Sequence, residues 1–247
     1  MFERAEQCLF RKALNAHSKT PLESFYLELG IIPLRFHLMK RRILYFHDIM
    51  KRADTELTKM VVLSQKEKRT KGDFYVQVEN DMKTLNIQES MIKTTHKNTL
   101  KEVLNNKLHS CAFQYLIRLA RTHSKVHNES YTDLRGMPYM NDGRFTPDLV
   151  NLLFKSRTRM YNVKNNFRNN YKQTNILCPL CKVHEDSQPH LFECTAILQQ
   201  LQNKIVTKYD DIFSSDTDTL LNVSKELKKI VTVREELQEE DLVVPED

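Results

Sequence analysis

The chain has 247 residues and a net charge of +6; it is 40% apolar and 28% charged, with only four glycines and no tryptophan. Such a composition is long enough to bury a core and favours helices over a strand-rich sandwich, while no window reaches the roughly eighteen uninterrupted apolar residues of a membrane span. Five cysteines, an odd number with three of them inside residues 178–194, argue against a secreted disulfide framework and place the chain in a reducing intracellular compartment, nucleus, cytoplasm or both.

In chain order, the start "MFERAEQCLFRKAL" is too charged for the apolar core of a signal peptide. Thr20-Pro21-Leu22-Glu23 reads as a capping box, with Thr20 at the N-cap, and Gly30 is expected to end the short helix that follows. A longer helix after Pro33 carries Leu34, Leu38, Tyr45 and Ile49 near one stripe, with Phe36, Met39, Ile43 and Phe46 beside it, which implies burial on more than one side. "SQKEKRTKGD", residues 64–73, reads as an exposed connector. Helical patterns resume over about 74–85 and 96–123, the second with Leu100, Val103, Leu104, Leu108, Cys111, Tyr115 and Leu119 on its apolar face. Turn formers between His123 and Thr146 mark the expected main boundary, after which Thr146 and Pro147 start a helix whose Val150, Leu153 and Phe154 point inward. The expected fold is mainly α: a helical, bundle-like part (1–145), a basic helix with a small zinc module (146–204), and a helical acidic tail (205–247).

Charge is divided along the chain. Residues Tyr209 to Asp247 hold twelve Asp and Glu against four Lys and Arg, a balance of −8, which leaves +14 on residues 1–208. A basic body favours a polyanionic partner, because clustered cations release counterions from phosphates, and nucleic acid is the first candidate. No acidic residue lies between Asp148 and Glu185, and that gap holds Lys155, Arg157, Arg159, Lys164, Arg168 and Lys172 interleaved with Tyr161 and Tyr171. These cations are the candidates for phosphate contact, and the two tyrosines for stacking on exposed bases. The competing reading makes the same residues a solvated face over core aromatics.

"CPLCKVHEDSQPHLFEC", residues 178–194, has the spacing Cys-x2-Cys-x8-His-x3-Cys. Cys178 and Cys181 bracket a tight turn, while His190 and Cys194, four residues apart, are expected on one face of a helix begun by Pro189, with His184 as a spare. Three thiolates and an imidazole suit one tetrahedral Zn2+ with no open position, hence a structural ion contributing on the order of 10 kcal/mol to local folding. A thioredoxin-like reading lacks its βαβ setting, and a RING lacks four further ligands.

Taken together, "ELGIIPLRFHLMKRRILYFHDIMKR", "KGDF", "LLFKSRTRMYNVKNNF" and the cysteine segment resemble, in that order, the C-terminal part of non-LTR retrotransposon reverse transcriptases, downstream of the fingers and palm. The likeness runs from about residue 10 to about residue 235. It implies a mainly helical post-polymerase region whose zinc knuckle contacts template RNA or target DNA, with Cys178, Cys181, His190 and Cys194 at the knuckle positions. It also implies an upstream polymerase domain if the chain is a fragment. Polymerase aspartates are not in evidence, since "KYDDIF" around Tyr209 to Asp211 has the wrong spacing and reads as a surface turn, and Pro147-Asp148 precedes the knuckle where a nuclease would follow it. The expectation is a non-catalytic nucleic-acid binder with no membrane partner; an acidic tail folding over the basic groove is compatible with it as self-masking. The alternatives are a protein-interaction module formed by the zinc unit and the tail helix around Leu220 to Leu237, or a decayed retroelement product without activity.

Overall fold

The computed structural model describes residues 2–122, 131–167, 176–202 and 204–243. Among them the chain is helical apart from turns and one isolated antiparallel bridge. Helices run as α1 (Phe2–Ala13), α2 (Leu22–Leu29), α3 (Leu34–Met50), α4 (Leu57–Lys68), α5 (Phe74–Thr84), α6 (Glu89–Thr94) and α7 (Lys97–Ala120), then α8 (Pro147–Arg157), α9 (Gln188–Glu193), α10 (Thr195–Gln200) and α11 (Thr217–Val243). No helix of the described residues is long and apolar enough to cross a membrane.

Periodicity explains the long elements. On α7 the buried residues are Leu100, Leu104, Leu108, Ala112, Leu116 and Ala120, one every fourth position, so a single ridge packs along α2 and α3. On α3 the ridge is Phe36, Met39, Ile43 and Phe46, with Ile49 completing it, and α5 lies against its other side. Tyr45, expected in the stripe, is instead half exposed and meets Phe74 edge to face. α2 is short yet central: Phe25, Tyr26, Leu27 and Glu28 are all buried.

Gly30 ends α2 as expected, at φ 67°, and its amide donates to the carbonyl of Tyr26. The helix start differs from expectation. Pro21 takes the N-cap position, one residue later than expected, and the buried Thr20 hydroxyl makes no capping bond. The stretch 64–68 belongs to α4, which runs to Lys68 before Arg69 turns left-handed at φ 53°; the connector is therefore only 69–73.

Residues 123–130 of the turn-rich stretch expected as a boundary lie outside the described residues, and the part that is described, 131–145, packs into the core. Tyr131, Leu134, Met137, Tyr139 and Phe145 are buried in the same core cluster that runs from Phe10 to Val233, so the N-terminal helices, α8, the cysteine segment and α11 share one interior. Gly30 and Gly136 make this closure: the Met137 amide donates to the carbonyl of Glu28 at 2.8 Å, and a Cβ on Gly30 would lie 2.3 Å from the Gly136 nitrogen. Gly30→Ala is thus expected to cost at least about 2 kcal/mol, from crowding plus left-handed strain, in a urea midpoint measurement. An unchanged midpoint would mean that the two backbones do not touch.

The acidic segment is not a free tail. α11 buries Leu220, Val223, Leu227, Ile230 and Val233 against α8 and the turn Tyr209–Phe213. The face that could have served assembly is therefore used inside the molecule. In "KYDDIF" the Asp211 carboxylate accepts from the Lys208 amide while Ile212 is buried, so the segment is a capped 3-10 turn.

Candidate metal centre

The cysteine segment builds its site from two local devices. Leu177 bridges Glu185, the Cys178 amide donates to the His184 carbonyl at 2.8 Å, and the Asp186 amide donates to the Ile176 carbonyl at 2.8 Å. This narrow loop is closed by a turn in which Lys182 donates to the Cys178 carbonyl at 3.0 Å and takes φ 56°, presenting Cys178 and Cys181 to the same side. On the other arm, the Ser187 hydroxyl accepts from the His190 amide and starts α9. Here the expected continuous helix is corrected. α9 stops at Glu193, and Cys194 lies outside helical geometry at φ −63°, ψ 116°, between α9 and α10.

That break aims Cys194 inward. The Cys194 sulfur is 3.9 Å from that of Cys178, the Cys181 sulfur is 3.3 Å from His190 Nε2, and all four donor atoms lie within 4.8 Å of one another. A tetrahedron with metal–sulfur bonds of about 2.3 Å has sulfur–sulfur edges of about 3.8 Å, so the spacing fits one ion held by four protein donors. Cys178, His190 and Cys194 are buried and Cys181 half-buried, while His184 is exposed, its ring 5.3 Å from that of His190. The two facing thiols share a proton unequally: contact with Cys178 holds Cys194 down to about 7, while the same contact, with burial, pushes Cys178 up to about 12. The amides of Ile197 and Ala196 at the start of α10 add to the lowering at Cys194, as the amides of Cys181 and Leu180 act on Cys178. Backbone donors aimed at sulfur favour the thiolate, which is the form that binds metal.

The site is tied to the helices by buried polar contacts. Asp186 meets Arg234 of α11 in a two-pronged pair at 2.7 and 2.9 Å, with the carboxylate 1% and the arginine 5% exposed, and also accepts from the Lys164 amide. Gln188 donates to the Ser156 carbonyl at the end of α8 and accepts from Asn166. A core of its own is thus unnecessary for this small module.

The expected nucleic-acid contacts fare differently. Arg157 is 1% exposed: Nε donates to Glu28 at 2.8 Å and Nη1 to the Ile212 carbonyl at 2.6 Å. Tyr131 and Tyr139 also donate to Glu28, the second at 2.6 Å. A guanidinium so enclosed cannot reach a phosphate, and its assignment as a contact is withdrawn. Tyr161 is likewise buried, which pushes its phenol up to about 12 and removes it from base stacking. Lys164 spends its ammonium on the Leu177 carbonyl, 2.9 Å away, as part of the loop's framework. Arg159 is half-buried beside Tyr209, and Lys155 is half-buried on the outer side of α8. Arg168, Tyr171 and Lys172 lie outside the described residues.

Sequence reasoning did not find Glu28, Tyr131, Tyr139, Asp186 or Arg234 as structural partners. One signal was present for the first: Glu28 sits in "LESFYLEL", where its neighbours in the helix are buried apolar residues and a carboxylate needs a partner. Comparison with known proteins returns no family model, no curated protein and no solved structure that matches the chain. Fold and site together define a helical protein with a candidate four-ligand metal centre built into its core.

Proposed function

We propose that the chain is a non-catalytic, zinc-stabilised nucleic-acid-binding protein of the cell interior, akin to the post-polymerase region of a non-LTR retrotransposon reverse transcriptase. Zn2+ is the ion of choice because three thiolates and an imidazole at tetrahedral spacing match its preferences, and a site filled by protein donors leaves no position for an activated water. The resemblance of sequence order supplies the retroelement reading.

The observation that carries nucleic-acid binding is the charge partition. Residues 1–208 hold +14, and among the described residues the ion pairs between α11 and the body run in both directions. Asp218 pairs with Arg144 at 2.6 Å, but Glu226 accepts the amides of Val206 and Thr207, and Lys228 and Arg234 of the same helix pair with Asp148 and Asp186 of the body. That pattern favours an open basic surface over self-masking. Fluorescence anisotropy of the zinc-loaded chain with labelled single-stranded RNA and DNA tests it. The log of the affinity is expected to fall with log salt at a slope steeper than about −2; absence of binding near 50 mM salt, or a flat slope, contradicts the proposal.

Leu57, Met60 and Val61, exposed on one face of α4, favour a second reading as an assembly module. Self-association that Met60→Lys abolishes, in a chain that ignores nucleic acid, would establish that reading instead.

A further inference from the structure

Two cavities adjoin at the C-terminal end of α1. One, of about 550 Å³, is lined by Arg4, Cys8, Arg11 and Lys12; the other, of about 620 Å³, by Lys155 of α8 together with Met160, Asn162 and the wall of α11; Asn15 and Ala16 belong to both. The result is one trough. Arg4 to Lys12 alone spans about 12 Å of helix axis, and the cations Arg4, Arg11, Lys12 and Lys155 line the trough's course. Arg234 on the far wall is already neutralised by Asp186. Arg11 donates to the Thr20 carbonyl, and its Nε is buried without a partner among the described residues.

We infer that this trough binds a single strand of nucleic acid, the phosphates following Arg4, Lys12 and Lys155 while the amides of Asn15 and Asn162 meet base edges. The inference rests on the nucleic-acid reading above and gives it a place. Two observations favour a strand over an acidic peptide. The cations are strung along the trough instead of clustered at one point, as a regularly charged backbone requires. Between them stand two amides, each able to donate and to accept; base edges use both capacities, whereas a carboxylate uses only the donors. Ala16 lines both cavities and so lies where the two meet.

The test uses the zinc-loaded full chain and fluorescein-labelled U12 RNA, dT12 DNA and an oligoglutamate peptide, read by anisotropy. Arg4→Ala/Lys12→Ala/Lys155→Ala is expected to weaken oligonucleotide binding by about tenfold or more and to flatten the log–log salt slope by about two units, three single-strand phosphates' worth. Lys101→Ala/Arg118→Ala/Lys204→Ala removes equal charge from other exposed positions and is expected to change affinity by less than about threefold. Ala16→Phe, which narrows the trough at unchanged charge, is expected to weaken binding by about tenfold with the helical circular dichroism preserved; should it fail to fold, the charge variants still decide. Equal losses from both triple variants would show diffuse attraction and overturn the trough. Oligoglutamate binding tighter than either oligonucleotide would overturn it in favour of a peptide groove. If the wild-type chain binds no oligonucleotide, the broader reading fails with it; if it binds and the trough variants bind equally well, only the trough is wrong.

Discussion

Arg157→Ala is expected to lower the stability of the chain by about 3–5 kcal/mol, the cost of leaving a buried charge without its partner. Glu28, with no exposed surface, would keep its two phenol donors and lose the guanidinium that balances its charge. The Ile212 carbonyl would lose the Nη1 donor, and the rings of Tyr131, Tyr139 and Phe213, all about 6 Å from the guanidinium carbon, would border a void. The knot joins α2, the 131–139 segment, α8 and the Tyr209–Phe213 turn, so damage there is global. Lys155→Ala, two residues earlier on the outer side of the same helix, is expected to stay within about 0.5 kcal/mol. Denaturant unfolding separates the two, and equal midpoints would refute the buried knot. Any nucleic-acid affinity lost in Arg157→Ala would then reflect unfolding, and the comparison must be made at a temperature where the variant is folded.

On the proposed zinc reading, removing the ion by chelation or by Cys194→Ser is expected to unfold residues 176–200 and to loosen the C-terminal half of α11. Binding energy at such a site is folding energy, on the order of 10 kcal/mol for four-ligand zinc, and the few apolar residues of the loop cannot replace it. The damage travels by a specific route: once the loop opens, Asp186 leaves Arg234, and a 5% exposed guanidinium must either gain water or move. Hydrogen exchange resolves this. Amides of Cys178, Asp186 and Leu198 should lose protection first, those near Arg234 next, while the Leu104–Leu116 stretch of α7 stays protected. Identical exchange with and without chelator would mean that the four donors are packing groups and not ligands.

Much of this was legible in the chain. The four-residue spacing of Leu100, Leu104 and Leu108 forces a long helix, and the pattern after Pro33 and the Gly30 stop are equally local. The cluster of four candidate donors was legible for a different reason, since three thiols and an imidazole crowded so closely in sequence point to one shared site. What could not be read depends on partners far along the chain. Arg157 looks like its cationic neighbours until Glu28, 129 residues earlier, is brought against it. Arg234 likewise sits in an acidic segment, yet its partner is 48 residues back. Charge counting treats every Lys and Arg as surface, and it fails for those that hold elements together. The turn formers of 131–145 misled similarly: Gly136 serves a close approach between backbones, not a linker. The break at Cys194 was hidden because a four-residue spacing of ligands suits a continuous helix as well as two short ones.

The most direct measurement of the central claim is elemental analysis of the chain purified without added metal or chelating resin, paired with Cys178→Ser/Cys194→Ser. A closed tetrahedral centre predicts about one zinc per wild-type chain and none in the double variant. Metal-free wild-type protein with an unaltered fold would contradict it.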